Sequence, residues 1–489
     1  MSYTYTYTPF AHQIEGIQLY RGRTFYGFFD QPGCGKSKIV VDGSNLLFND
    51  KALFGAVVVC PNTVKSTWAN HEWGQIAKHT PADIPHFVYR IESGKRLPKM
   101  DAYYREKSRA FVWMIVNYEA LRNPKIEAYL REFLLNMAPS AMILDESTRI
   151  ANRNSIQSKV AMRLGQHATR RYILTGTPIR KNPLDLYTQL NFLSTSILRC
   201  PYFIAFRNRY AQMGGYMVGG RPVQVIGWQN LDELSEKIKP YTRVIDKSVA
   251  LPDLPPKMPP VRMEVPLSEE QERAYMMMKE HAVATVPGVI GQTTATIALT
   301  KILRLSQITS GHVPLVNSIT GNTQIVSFTQ NPKFDLVVEL LDDIPFMVIF
   351  AMFIVEIQDL AARLKTEGIS CGMIYGETSL KEREQIQENF QLGKVRVVLC
   401  QVVTGGIGIS LTHGDTAVFL TNAYSHEARV QAEDRLHRPG QTNKSVSYID
   451  IIAVTRDGRN TIDHTVLKAL EKKQNLSDAV LGHTMEEML

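Results

Sequence analysis

A glycine-rich stretch at residues 30–37, DQPGCGKS, carries the clearest chemical signal in the sequence. It follows an apolar run at residues 24–29 and precedes apolar residues at helical spacing, so we expect a turn between a strand and a helix. Glycines let backbone N–H groups close around phosphate oxygens, and the helix N-terminus adds its dipole. Lys36 can reach the terminal phosphates, and the Ser37 hydroxyl can ligate Mg²⁺. The stretch predicts a phosphate-binding loop that includes Gly33, Cys34, Gly35, Lys36 and Ser37.

A pair of carboxylates, Asp145 and Glu146, directly follows a second apolar run at residues 141–144. A solvated turn would explain the pair equally well in isolation. Beside a phosphate-binding loop, one carboxylate at a strand end can hold Mg²⁺ through water while its neighbour polarises an attacking water. We therefore predict that Asp145 binds the metal together with Ser37, and that Glu146 acts on the water.

Two arginines far along the chain, Arg435 and Arg438, stand three residues apart. If residues 431–438 are helical, both side chains leave the same face. A solvated charge stripe is the ordinary explanation for such a pair. Because the phosphate-binding loop has no nearby arginine of its own, we favour arginine fingers that come from a second lobe and neutralise transition-state charge.

Composition limits the class of protein without naming a reaction. The chain has 489 residues, which indicates two or three domains, and a net charge of +8 that is compatible with a polyanionic partner. Its five cysteines contain no CxxC pair, which argues against zinc and against a disulfide framework. No apolar run approaches the roughly 18 residues of a membrane span, and no signal peptide is evident. We expect a cytoplasmic protein without a membrane partner.

Short β-rich runs alternate with helical patterns in two separate blocks, which is typical of parallel sheets covered by helices. The predicted strands of the first block are residues 24–29, 56–60, 111–117, 141–144 and 171–174, and those of the second are 346–350, 371–374, 395–400, 417–421 and 446–452. Between the blocks lie helical patterns, a glycine-rich turn at 213–220 and a proline-dense connector at 251–260.

This pattern predicts an α/β protein with two RecA-like parallel-sheet lobes and helical insertions between them. The expected segments are a first lobe at residues 1–195, insertions and connector at 196–335, a second lobe at 336–460, and a C-terminal brace helix with a tail at 461–489.

Further short motifs follow the phosphate-binding loop in a fixed order. They lie at residues 59–61 with Trp68 and Trp73, then at 117–121, 174–178, 190–193, 348–350, 375–378, 404–412 and 431–441. In this order, and with Asp30 where the general phosphate-loop pattern has its first glycine, the chain resembles the Swi/Snf family of helicase-like ATPases from helicase superfamily 2. It is most similar to small stand-alone motors from bacteria or bacteriophages.

The resemblance implies ATP and Mg²⁺ as ligands, with Gln13 and Gly408 contacting the nucleotide. It also implies double-stranded DNA as a partner that is held mostly by its backbone, so binding would be salt-sensitive. The candidate DNA contacts are Asn62, Lys65, Trp68, Tyr118, Phe350, Gly376, Thr404 and Gly405. For Trp68 and Phe350, a place in the core is an equal alternative.

Two positions depart from the family pattern, of which the first concerns coupling between nucleotide state and the second lobe and the second adds positive charge near the cleft. Thr148 replaces the usual histidine after the acidic pair, and Arg180 with Lys181 replaces a polar Gln-Asn pair. Neither change removes the predicted metal ligand or the water-polarising group, so hydrolysis is expected to survive. The leading hypothesis is an ATP-dependent translocase on double-stranded DNA, with an unidentified protein partner for recruitment. The alternatives are a strand-separating DNA or RNA helicase and a nucleotide-gated DNA-binding protein with weak turnover.

Overall fold

The chain folds into two compact units, each built around a parallel sheet. The computed structural model describes residues 3–218, 221–284, 293–294, 298–316, 321–402 and 409–481. Unit 1 contains residues 1–252 together with 473–489, and unit 2 contains residues 253–472. The predicted middle segment, residues 196–335, is therefore divided between the two units.

Unit 1 contains a seven-stranded parallel sheet with the order β3-β4-β2-β5-β6-β1-β9. A separate antiparallel hairpin is formed by β7 and β8. The strands are β1 (Phe25–Phe28), β2 (Gly55–Cys60), β3 (His86–Ile91), β4 (Phe111–Asn117), β5 (Ser140–Asp145), β6 (Arg170–Leu174), β7 (Ala211–Val218), β8 (Arg221–Trp228) and β9 (Thr242–Arg243).

Helices cover both faces of this sheet. They are α1 (Ala11–Gly22), α2 (Lys36–Asn49), α3 (Lys65–Ala69), α4 (Gln75–His79), α5 (Asp101–Arg105), α6 (Pro124–Asn136), α7 (Ile156–Gly165), α8 (Leu186–Leu193), α9 (Thr195–Leu198), α10 (Phe203–Tyr210), α11 (Leu231–Ile238) and α12 (Lys247–Ala250). Short 3₁₀ turns lie at Asn62–Val64, Tyr118–Arg122, Ser147–Ile150, Pro183–Asp185 and Lys239–Tyr241.

Unit 2 contains a six-stranded parallel sheet with the order β10-β19-β18-β15-β17-β16, and two small antiparallel pairs, β11 with β12 and β13 with β14. The strands are β10 (Val261–Pro266), β11 (Val283–Ala284), β12 (Thr293–Thr294), β13 (His312–Val316), β14 (Thr323–Ser327), β15 (Met347–Ala351), β16 (Cys371–Ile374), β17 (Val397–Gln401), β18 (Thr416–Phe419) and β19 (Ser447–Val454). The helices are α13 (Glu269–His281), α14 (Ala298–Thr309), α15 (Pro332–Asp343), α16 (Ile354–Thr366), α17 (Leu380–Gln391), α18 (His426–Glu433) and α19 (Ile462–Leu481).

The central strands are apolar on both faces because each sheet separates two hydrophobic layers. In β2, Val57 and Val59 pack into one layer, while Ala56, Val58 and Cys60 pack into the other. The second sheet repeats this arrangement in β15, whose alternate side chains also enter two different layers. A strand buried on both faces needs a continuous apolar run, and such runs made these strands visible in the sequence.

The prediction of two parallel-sheet lobes is confirmed by the two sheets. Each of the ten predicted strands corresponds to an observed strand, with small shifts at the ends. The glycine-rich turn expected at residues 213–220 was wrong, because Ala211–Val218 forms strand β7 and pairs with β8. No helix in the described part of the chain combines the length and apolar character needed to cross a membrane.

Candidate active site

The phosphate-binding loop joins β1 to α2, as the sequence predicts. Gly33 and Gly35 have φ angles of 89° and 84°, in the left-handed region that glycine adopts without strain. Gly35 precedes the first residue of α2, so the free N–H groups of this helix terminus open onto the loop. A Cβ atom on Gly35 would lie 2.2 Å from Nε2 of Gln13. The loop is therefore a close-packed cradle that admits no side chain at this position.

The Lys36 side chain folds back over the preceding residues of the loop. Its Nζ donates hydrogen bonds to the carbonyl oxygens of Asp30 at 2.6 Å and Gln31 at 3.3 Å. Burial raises the pKa of Asp145, and the Lys36 charge is among the interactions that oppose this rise. The loop and the carboxylate that the sequence assigned to the metal lie at the same edge of the sheet, because β1 and β5 both pair with β6 in parallel.

The start of α1 holds the other side of the loop. Nε2 of Gln13 donates to the carbonyl oxygen of Cys34 at 3.2 Å, and a ring nitrogen of His12 is hydrogen-bonded to the same oxygen at 2.8 Å. Oε1 of Gln13 accepts a hydrogen bond from the backbone N–H of Phe10. Gln13 was predicted at the nucleotide site and lies against the loop, whereas the contribution of His12 was not predicted.

The acidic pair lies at the carboxyl end of β5. The Asp145 carboxylate accepts hydrogen bonds from Nε1 of Trp68 at 2.7 Å and from the backbone N–H of Glu146 at 3.1 Å. The Tyr118 hydroxyl donates to the backbone carbonyl of Asp145 at 2.9 Å. Burial raises the pKa of Asp145, and the Trp68 hydrogen bond, followed by the Lys36 charge, counteracts this rise. The carboxylate is therefore half-buried and fixed in direction.

Glu146 has a left-handed backbone with a φ angle of 52°, which is uncommon for a residue with a side chain. Oε2 of Glu146 accepts a hydrogen bond from the Thr175 hydroxyl at 3.3 Å, and the same hydroxyl oxygen accepts one from the backbone N–H of Thr177. Strain of this kind persists only where the surroundings impose it, and it is common at functional sites. The strained turn separates the directions of the two neighbouring carboxylates.

The departure at Thr148 lies in a 3₁₀ turn directly after the pair, where the residue is buried. The preceding residue, Ser147, donates from its hydroxyl to Oε1 of Gln189 at 2.7 Å. Nε2 of Gln189 in turn donates to the carbonyl oxygens of Pro178 and Asp185. Gln189 therefore ties the acidic turn to the segment after β6, a link that the sequence analysis missed.

The donor set at this site fits Mg²⁺ bound together with a nucleotide. Oδ1 and Oδ2 of Asp145 each accept one hydrogen bond, and each keeps a further lone pair for a metal ion. The half-buried Ser37 offers a hydroxyl as a second ligand. In the described residues, no group of three or more His, Cys, Asp or Glu side chains could hold a metal by itself. Mg²⁺ in nucleotide sites needs only one or two protein ligands, because phosphates and waters supply the others.

The two predicted arginine fingers lie in unit 2, in turns that follow α18. Residues 431–438 do not form one helix, because α18 ends at Glu433, so the condition under which both side chains would share a helical face is not met. Nη1 of Arg435 and Nη1 of Arg438 nevertheless both donate to the carbonyl oxygen of Ile409, at 3.4 and 3.0 Å. Burial and then the charge of Arg438 lower the pKa of Arg435 to about 10, and burial also lowers the pKa of Arg438. Two guanidinium groups that converge on one carbonyl oxygen, with Arg435 buried and Arg438 half-buried, favour an anionic ligand.

Four predicted DNA contacts are corrected, because their side chains are buried. Trp68 and Tyr118 point to Asp145, as described above, and Phe350 stacks on Phe419 with ring centroids 4.9 Å apart. Nζ of Lys65 donates to the Ile91 carbonyl oxygen, and burial lowers the pKa of Lys65. These side chains have too little exposed surface to contact a phosphate backbone. For Trp68 and Phe350, the core alternative is therefore the better one.

The other candidates have different outcomes. Asn62 and Gly376 are exposed, as a DNA contact requires. Thr404, Gly405 and Gly408 lie outside the described residues.

Comparison with known proteins agrees with the family resemblance found in the sequence. A model of the SNF2-related domain matches residues 12–312, and a model of the helicase conserved C-terminal domain matches residues 332–440. An uncharacterized ATP-dependent helicase from Mycoplasma genitalium is 24% identical over 471 residues, which are 95% of this chain and 41% of the relative. A SWI/SNF-related matrix-associated actin-dependent regulator of chromatin subfamily A-like protein 1 from Xenopus tropicalis is 24% identical, over 88% of this chain and 41% of the relative.

These relatives are considerably longer proteins, and the chain spans about two fifths of their length. A solved structure, the Sulfolobus solfataricus SWI2/SNF2 ATPase core in complex with dsDNA, is similar with a TM-score of 0.44 and 21% identity. That similarity covers 100% of this chain and 97% of the other.

The Trp68 hydrogen bond gives a first testable prediction. Trp68→Phe keeps an aromatic ring in the core and removes the N–H that orients Asp145. Losing an outer hydrogen bond of this kind typically weakens metal binding by about tenfold or more. We expect the Mg²⁺ concentration for half-maximal binding of a fluorescent ATP analogue to rise by about this factor, measured by titration at fixed nucleotide.

Trp113→Phe is the matched control, because Trp113 is buried in the same hydrophobic layer and its Nε1 has no hydrogen-bond partner in the described structure. An unchanged Mg²⁺ dependence in Trp68→Phe would contradict an orienting role for the indole.

Proposed function

The chain belongs to the family of the SNF2-related domain, and from this premise we propose that it is an ATP-hydrolysing motor that moves along double-stranded DNA. The proposal covers the activity of the chain and the polymer on which it acts. Relatives named as ATP-dependent helicases support the use of ATP.

One observation carries the proposal, namely that the loop with Lys36 and the acidic residue Asp145 lie at the same edge of the unit 1 sheet, at the carboxyl ends of β1 and β5, which both pair with β6 in parallel. The Lys36 ammonium lies on the loop, and the half-buried carboxylate of Asp145 ends β5. A lysine on a phosphate loop and an acidic group at a strand end are the parts that phosphoanhydride hydrolysis requires. The loop amides and Lys36 would hold the phosphates, and Gln13 would contact the nucleobase.

The acidic residues have separate roles in this proposal. Asp145, oriented by Trp68, would hold Mg²⁺ together with Ser37, and the bound ion would neutralise charge on the phosphate oxygens. Glu146 would position and polarise the attacking water. Its carboxylate is fixed by the Thr175 hydroxyl, so its direction depends on the segment after β6.

Arg435 and Arg438 would stabilise charge on the phosphoryl group as it is transferred, and Gly408 would contact the nucleotide. The burial of Arg435 and the partial burial of Arg438 support this role, because a buried cation gains most from an anionic ligand. We retain residues 1–195 and 336–460 as the two catalytic lobes, with the insertions at 196–335 and the brace at 461–489 as the parts around them.

The polymer proposal rests on family membership and on charge. A net charge of +8 favours a polyanion, and contacts to the DNA backbone would give affinity without reading base order. Asn62, Gly376, Thr404 and Gly405 remain the proposed contacts.

Relatives from two Mycoplasma species support a bacterial or bacteriophage source. A recruiting protein partner remains part of the proposal.

Two substitutions separate nucleotide binding from hydrolysis. Lys36→Ala removes the positive charge that would contact the phosphates, so we expect hydrolysis to be lost and nucleotide affinity to fall. Glu146→Gln removes only the activation of water, so it should retain ATP without turning it over. Filter binding with labelled ATP, beside a phosphate-release assay, measures both quantities, and exposed Glu236→Gln serves as the control. Failure of Glu146→Gln to bind ATP would contradict the separate roles of the two acidic residues.

The arginines give a prediction about the chemical step. Arg435→Ala and Arg438→Ala should each lower turnover by about 10³ or more, with a modest loss of nucleotide affinity. Arg273→Ala in unit 2, where the side chain is exposed, should leave turnover unchanged. Binding of duplex DNA by the nucleotide-free variants distinguishes the mechanisms. If DNA binding falls as far as turnover does, the arginines are DNA contacts.

The polymer and the movement are tested together. Duplex DNA should stimulate ATP hydrolysis more than single-stranded DNA or RNA does, and the protein should displace the third strand of a triplex. A motor that keeps the duplex paired does not have to supply the stacking energy of roughly 1.4 kcal/mol per base pair. Efficient opening of a forked duplex without triplex displacement would instead establish the strand-separating alternative. DNA binding that responds to nucleotide with negligible turnover would establish the nucleotide-gated alternative.

A further inference from the structure

A segment at the end of unit 1 lies along the phosphate-binding loop. Residues 242–247, called the strap below, begin with β9, which pairs in parallel with β1. The backbone N–H of Phe29 donates to the Arg243 carbonyl oxygen at 2.9 Å, and the N–H of Gln31 donates to the Ile245 carbonyl oxygen at 3.0 Å. The pairing therefore continues beyond β1 into the first residues of the loop.

The Arg243 guanidinium is the central contact of the strap. Its Nε and Nη2 atoms donate to the Asp30 carboxylate, at 3.0 and 2.6 Å, and its Nη1 donates to the carbonyl oxygen of His12 at 2.8 Å. Both charged side chains are buried, with 7% of Arg243 and none of Asp30 exposed. A forked pair of this kind fixes both the distance and the direction of the carboxylate. This contact accounts for an aspartate at a position where the general loop pattern has glycine.

The two residues that the strap holds are those that bind Lys36. Nζ of Lys36 donates to the backbone carbonyl oxygens of Asp30 and Gln31. Arg243 fixes the side chain of Asp30, and both ends of the Gln31 amide are bound by the strap. Nε2 of Gln31 donates to Oδ2 of Asp246 at 2.7 Å, and Oε1 of Gln31 accepts from the N–H of Lys247 at 3.1 Å.

Arg243 also reaches the opposite side of the loop through α1. The residue that accepts its Nη1 hydrogen bond, His12, is hydrogen-bonded through its own ring to the Cys34 carbonyl oxygen. Gly16 in the same helix approaches the guanidinium so closely that a Cβ atom would lie 2.9 Å from Nη1. The guanidinium therefore packs against the helix as well as against the loop.

We propose that Arg243 is a positioning residue for the nucleotide site, which sets the phosphate-binding loop and the Lys36 ammonium through Asp30. It does not touch the nucleotide, and it acts by holding the two carbonyl groups on which Lys36 rests. The inference depends on the proposed function, because it assumes that this loop binds the phosphates of a nucleotide. It adds a residue 207 positions after Lys36 to the set that determines nucleotide affinity.

The test uses Arg243→Lys in the full chain. The lysine still neutralises the buried Asp30 carboxylate, so the protein should fold, but it cannot make the fork and the His12 hydrogen bond together. We expect affinity for a fluorescent ADP analogue to fall by roughly tenfold or more, since small displacements of binding groups have large effects. The melting temperature without nucleotide should change little. Asp30→Asn, which keeps the shape of the side chain, should lower the affinity in the same way, and it should also lower the melting temperature because it leaves the buried Arg243 charge unpaired.

Arg163→Lys is the matched control. Arg163 makes the same forked contact with Glu127, at 2.8 and 2.9 Å, on the exposed surface of unit 1. It should bind the analogue as the wild type does. The double variant Asp30→Asn with Arg243→Lys should bind no more weakly than the weaker single variant, because the two residues act through one contact.

The outcomes separate this inference from the proposed function. If the wild-type protein does not bind the ADP analogue, the proposed function is wrong. If the wild type binds and folded Arg243→Lys binds equally well, the proposed function stands and the positioning role is wrong. A lower melting temperature with unchanged affinity would make Arg243 a purely structural residue and would also overturn the proposal.

Discussion

A buried carboxylate needs a cation, and in unit 1 this requirement organises the candidate nucleotide site. Asp30 is fully buried at the start of the phosphate-binding loop, where an unpaired charge would be strongly destabilising. Arg243 neutralises it from a strand of only two residues at the edge of the sheet. The loop, the first helix and the last strand of the sheet therefore share a single contact. Removal of either charged partner would leave the other buried and uncompensated.

The acidic turn depends on hydrogen bonds from two uncharged donors rather than on a salt bridge. Trp68 and Tyr118 belong to two segments whose resemblance to the family led us to predict DNA contacts. Their side chains instead donate hydrogen bonds to Asp145, Trp68 to its carboxylate and Tyr118 to its backbone carbonyl oxygen. Exposed Asn62 lies six residues before Trp68. The segment with a proposed DNA contact is thus also the segment that orients the proposed metal ligand.

The sequence was sufficient for the parts of the fold whose signal is local. Strands such as β2 and β4 are continuous apolar runs because they are buried on both faces, and periodicity alone reveals them. Strand β3 was missed because it is half-exposed and polar, and β10 was missed because it adjoins the proline-dense connector. Strand β9 has two residues, too few for any pattern. Residues of the loop and the acidic turn were found because short motifs determine them.

Contacts between distant positions gave no such signal. Nothing near Arg243 marks it as the partner of Asp30, and the burial of Lys65 follows from its contact with strand β3, which the sequence analysis had not predicted. Arg435 and Arg438 do not share a helical face, because α18 ends at Glu433, yet both reach one carbonyl oxygen from the residues that follow this helix. Chemical type was therefore easier to predict than the path of the backbone.

The Asp30–Arg243 pair also constrains how the sequence can diverge. A change to glycine at position 30 would leave the arginine buried without a counterion, and a change to an apolar residue at position 243 would do the same to the aspartate. Either substitution alone would therefore destabilise the protein. The two positions should be inherited as one character across related proteins, although 213 residues separate them in the chain. A search that judges the phosphate loop by its own eight residues treats Asp30 as a deviation, whereas the fold makes it half of a two-residue motif.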